Sequence, residues 1–187
     1  MLIEHDREKL LNSIIYFLSN TKPCGKTKLF KLLYYLDFMH FRETGRSVTN
    51  MDYFAWNYGP VPKKLFEEME RPPADLKESL FIPPTNSEKT FVGLKPKKKF
   101  DDKYFTKREL RILENVAFIF RDAEADDMVE ASHLPNHPWD KTIKTKGEYA
   151  QIDYTLALDE TEGSLSLEEV MERIKEKKEL KNMGAVS

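Results

Sequence analysis

Gly25-Lys26-Thr27 has the ending of a phosphate-binding loop, in which a lysine and a hydroxyl serve phosphate and Mg²⁺. The full loop also needs a glycine five positions ahead of Gly25. Asn20 stands there, and Pro23 removes one of the amides that would wrap the phosphates. His133 and His137, with Asp126, Asp127 and Glu130 upstream, are residue types that ligate metals. Pro135 lies between the two histidines and keeps them off a common helical face, so no metal is expected. Cys24, the only cysteine, has no histidine partner along the chain, and no nucleophile–base–orienter set can be assembled. No catalytic residue and no cofactor is expected, and the chain does not read as an enzyme.

Asp37 sits in an otherwise apolar stretch, one turn from Tyr34, His40 and Phe41. A buried carboxylate is costly unless hydrogen-bonded, so its expected role is a structural bond to a tyrosine, a tryptophan or a backbone amide. Two surface features carry charge instead. Lys95, Lys97, Lys98, Lys99, Lys103, Lys107, Arg108 and Arg111 form a basic stretch, opposed by Asp101, Asp102 and Glu109. The segment Asp122–Glu130 is acidic and holds no basic residue. Beside a hairpin, the basic stretch has the character of a DNA-binding wing, which makes a transcriptional regulator the alternative function. Against it stand a net charge of −2 and the lack of a recognition helix rich in Arg, Asn and Gln. Segregated charge also steers a protein partner of opposite pattern.

The elements that must position these residues follow from periodicity. Leu10, Leu11, Ile14, Ile15 and Leu18 make a helical stripe over 6–19. A second helix is expected over 27–44, stopped by Gly45. It is apolar most of the way round, with Leu29, Leu32, Leu33 and Leu36 joined by Phe30, Tyr34, Tyr35, Phe38 and Phe41, so it is a buried one. Gly25-Lys26-Thr27 therefore lies between two helices, and Lys26, Lys28 and Lys31 are expected to be a solvated first turn and face. Tyr53–Pro62 (YFAWNYGPVP) reads as a short extended or irregular segment with a sharp turn, and Pro62 then opens a helix to about Met69. A hairpin is expected in 79–96, with Pro83 and Pro84 keeping its first strand short. Thr106-x-x-Glu109 is a capping box opening a helix with Leu110, Leu113, Val116, Ala117 and Phe120 on one side. Shorter helical pieces are expected at 125–133 and from Trp139. Ser166-x-x-Glu169 caps a last helix carrying Leu167, Val170, Met171 and Ile174.

With 187 residues, 40% of them apolar and 12% aromatic, the chain can build a real core. Charges in MLIEHDREKLL occupy the place of a signal peptide's apolar stretch, no run is long enough to span a membrane, and a lone cysteine suits a reducing compartment. A cytoplasmic protein is expected.

Three segments together resemble a known family. KLFKLLYYLDFMHF at 28–41 is followed after Gly45 by YFAWNYGPVP at 53–62, and later by ASHLPNHPW at 131–139. This combination is similar to the Panacea domain, or SocA-like antitoxin domain, found in bacteria and phages. The resemblance implies a mainly helical (α+β) single domain around a buried central helix with a small antiparallel β-hairpin. The resemblance covers most of residues 8–145, and the domain is taken as 1–150, leaving 151–187 as a C-terminal extension that ends in an amphipathic helix. It also implies an antitoxin that neutralises a toxin encoded nearby by protein–protein binding, in some members as an adaptor to a cytosolic protease. Leu32, Leu33, Asp37, Ser132, His133 and Trp139 then take structural roles, and both tryptophans are expected in the core. Trp56, Tyr58, Gly59 and Pro60, with Lys97, Lys98 and Lys99, are the candidate toxin-binding residues.

Overall fold

The computed structural model describes residues 2–22, 24–83 and 93–158, with side chains from residue 5 onward. Helix α1 (Leu2–Asn20) turns its Leu10, Leu11, Ile14, Ile15 and Leu18 stripe inward. Helix α2 (Lys26–Thr44) is the central element. Leu29, Leu32, Leu33 and Leu36 are completely buried, and Tyr34, Phe38 and Phe41 nearly so. It packs against α1, against α5 (Lys107–Ile119) and against α6 (Ala125–Ser132). Gly45 ends it in the left-handed region (φ 69°), its N–H bonding to the Phe41 carbonyl. At the other end Gly25 is the N-cap, preceded by helix α1 rather than by a strand, and Lys26 pairs with Glu70 at 2.9 Å.

After α2 the chain forms β1 (Phe54–Trp56) and β2 (Gly59–Val61), an antiparallel hairpin with Trp56 opposite Gly59. This segment was expected to be short and extended or irregular with a sharp turn, and the extended form is the one present. It is a ladder, and it is extended on its other side by residues 149–152. Ala55 donates to the Ala150 carbonyl, Tyr149 to the Ala55 carbonyl and Ile152 to the Tyr53 carbonyl. Those partners lie nearly a hundred residues away, and local pattern carries no trace of them. Helix α3 (Lys63–Glu70) follows, with Pro62 as its N-cap. Helix α4 (Ala74–Ser79), which periodicity did not suggest, is tied to α1 by Arg7, which bonds both Asp75 and Glu68.

The hairpin expected in 79–96 is present as β3 (Leu80–Phe81) paired antiparallel with β4 (Lys95–Pro96); its turn, with Pro84, lies outside the described residues. A 3-10 turn (Asp102–Tyr104) leads into α5, whose capping box between Thr106 and Glu109 is formed in both directions. Ile112, Leu113, Val116 and Ala117 are its buried face, and Leu110 is only half-buried. Helix α6 carries a second box, between Glu124 and Asp127. Helix α7 (Pro138–Lys146) is longer than the single turn expected, with Pro138 in its first turn. A 3-10 turn at Tyr154–Ala157 packs on α2, Tyr154 stacking on Phe38 at 4.3 Å. The capping box at Ser166 and the last helix lie outside the described residues. Among the described residues, no helix is long and apolar enough to cross a membrane.

Candidate functional site

The β1–β2 hairpin is held from four directions. Tyr53, just ahead of it, is fully buried, and its hydroxyl donates to Asp37 at 2.8 Å. Asp37 is itself completely buried and also accepts from the amides of Val48 and Thr49, both at 2.8 Å, and from the Thr49 hydroxyl. Burial pushes its pKa up to about 6, against the pull of those four donors. One carboxylate thus fixes the 48–53 loop to the central helix. Leu32 and Leu33, on the same helix, are core residues with no exposed surface.

Beyond Asn57 and Tyr58 the chain returns under the strand. Gly59 has φ 94°, and a Cβ there would lie 2.5 Å from Ser132 Oγ and 2.7 Å from Lys31 Cε. Both backbone angle and space therefore demand glycine. The Pro60 carbonyl accepts from Lys31 Nζ at 3.1 Å. From above, the Trp139 indole donates to the Trp56 carbonyl at 3.0 Å, and the His133 ring stacks on Trp139 at 3.7 Å and 8°. Both tryptophans are half-buried and pack against the core. Ser132 is buried, its hydroxyl returned to the Val129 carbonyl.

Lys28 and Lys31 overturn the expectation of a solvated face: each is 1% exposed. Lys28 reaches the carbonyls of Lys22, Arg121 and Ala123, two of them in the segment that follows α5. Among the described residues Lys31 has the single acceptor Pro60, and desolvation pushes its pKa down to about 7. His133 is also held below its ordinary value, by burial and then by Lys31, and its Nε2 is buried without a hydrogen-bond partner. Lys31, an amine that titrates about pH 7, and His133, whose protonation burial disfavours, thus flank the hairpin. The sequence signal was available: two lysines on a helix otherwise apolar all round have nowhere wet to go unless its N-terminal turn is exposed.

The outer face is aromatic. Tyr58 is 76% and Tyr149 60% exposed, and Trp56 lies between Tyr149 (6.0 Å) and Phe66 (5.0 Å). Gly59 and Pro60, grouped with them on sequence, are buried supports rather than contact surface. Lys97, Lys98 and Lys99 are exposed on a different part of the molecule, beyond β4. Lys97 caps the Lys77 carbonyl and Lys98 pairs with Glu78 at 3.3 Å. Of the basic stretch, Lys103, Arg108 and Arg111 also pair with acids, which lowers the charge offered to phosphates. His137 is exposed at the start of α7, away from the His133 stack, and no group of three potential metal ligands occurs among the described residues.

The profile of the family described as "Antitoxin SocA-like, Panacea domain" matches residues 29–140, more than half of the chain and all of the site just described except Lys28 with its Lys22 partner and Tyr149 with its neighbours. No curated protein and no solved structure gives a match.

Proposed function

Since the chain belongs to the antitoxin SocA-like, Panacea domain family, we propose that it silences a toxin encoded nearby by binding it stoichiometrically, with the β1–β2 tip as the anchoring surface. The observation that supports this reading is the contrast between the tip and its foundation. Tyr58 is 76% exposed, while the residues on either side of it are pinned through Trp56, Gly59 and Pro60 to α2, α6 and α7. An exposed aromatic on an already ordered turn binds with little further loss of entropy. Lys97, Lys98 and Lys99 supply a separate charged patch suited to steering an acidic partner.

The test is co-expression with the adjacent toxin gene. Growth is restored and the two proteins co-purify, or the toxin's level falls if the complex is delivered to a protease. Tyr58→Ala speeds dissociation about tenfold or more, as truncation of an aromatic anchor does. Reversing Lys97, Lys98 and Lys99 to Glu slows association, less so at high salt. A neighbour that is harmless when expressed alone contradicts the reading.

A further inference from the structure

A groove of about 500 Å³ lies between α2, α7 and the last described residues, away from the hairpin tip. Tyr35 and Met39 form one wall, Pro135 and Leu158 another, and Arg42 and Lys141 stand among the lining residues. An apolar trough of this size with cations beside it has the form that accepts an amphipathic segment. Leu158 is both a lining residue and the last one described, so residues 159–187 set out from the groove itself. From Asp159 to Glu172 that sequence has six carboxylates and no lysine or arginine, with Leu165, Leu167, Val170 and Met171 among them. Leu165 lies seven positions after Leu158, and an extended chain of that length reaches roughly 23 Å, ample to turn back.

We propose that this groove is the docking site of the chain's own segment 165–171, its apolar side chains against Tyr35 and Met39 and its carboxylates facing Arg42 and Lys141. Tethering gives such a segment an effective concentration on the order of millimolar. Any partner that uses the groove must then displace it, so the segment sets a threshold for binding there. The inference concerns a different surface from the hairpin tip and does not depend on it.

The test places a cysteine pair in the full chain, Met39→Cys with Val170→Cys, oxidised at micromolar protein concentration. Cys24 stays out of the reaction, since it is buried and its thiol is pushed up to about 11. The expected result is an intramolecular disulfide forming about tenfold faster or more than for Met39→Cys with Ser187→Cys, and slowed severalfold by Lys141→Glu or by high salt. Lys141→Cys replaces Met39→Cys if the latter unfolds the protein. Equal rates for the two pairs overturn the proposal. So do mainly intermolecular disulfides, which would assign the groove to a second copy. Protection of the introduced groove thiol that requires the adjacent gene's product overturns it too, and would assign the groove to that partner.

Discussion

Lys28 and Lys31 are one helical turn apart and equally buried, yet their surroundings differ in the number of acceptors: three carbonyls for Lys28, one for Lys31. Lys28→Met leaves those carbonyls without their donor and should cost about 2–3 kcal/mol in chemical denaturation. Lys31→Met behaves differently with pH. The amine's pKa is about 7 in the folded protein and 10.5 ordinarily, so between these values the unfolded chain holds a proton that the folded chain lacks. Stability from this group is therefore present above pH 10.5 and is lost as pH falls to 7. Relative to the parent, Lys31→Met should be most stabilising near pH 7 and progressively less so towards pH 10, read from urea midpoints. An unchanging difference would mean that Lys31 stays charged in the fold. Asp37→Ala strands four donors and should cost about 3–5 kcal/mol. Asp37→Asn keeps one acceptor oxygen but sets an amide donor against the remaining donors. It should therefore cost less than Ala yet still destabilise, whereas a purely steric role would leave the near-isosteric Asn neutral.

At the level of elements, the β1–β2 hairpin is a local ladder made rigid by distant partners. Gly59→Ala forces a methyl into Ser132 and Lys31 at a positive φ and should cost about 1–3 kcal/mol. The accompanying change in tryptophan fluorescence would show that the loss lies at Trp56 and Trp139; a variant with the parent's denaturation midpoint and spectrum would show that α6 yields freely. Helices α1, α2 and α5 were legible in the sequence because each carries its own evidence: the stripe of α1, the all-round apolarity and Gly45 stop of α2, and the reciprocal Thr106–Glu109 box of α5. For 53–62 the sequence offered an extended or irregular stretch with a sharp turn but not the ladder, because its strands are three residues each and its third neighbour comes from 149–152. Likewise Tyr58 and Pro60 share one short motif but opposite environments, a distinction made by Lys31 and α6 and invisible to spacing. The aromatic neighbour Tyr149 was missed for the same reason: nothing near it in sequence links it to Trp56.

For the whole molecule, family membership and the ordered, aromatic tip point to function by association, with buried Lys31 and Ser132 below the tip and the His133–Trp139 stack against Trp56 serving to hold it in place. The most direct measurement is the dissociation rate of the complex with the adjacent gene's product, for the parent and for Tyr58→Ala, alongside growth rescue by each. The account predicts a stable complex with the parent, dissociation faster by about tenfold or more for Tyr58→Ala at unchanged fold stability, and correspondingly weaker rescue. A complex that dissociates equally slowly with and without the Tyr58 ring would contradict the hairpin tip as the anchor, and the absence of any complex would contradict neutralisation by binding.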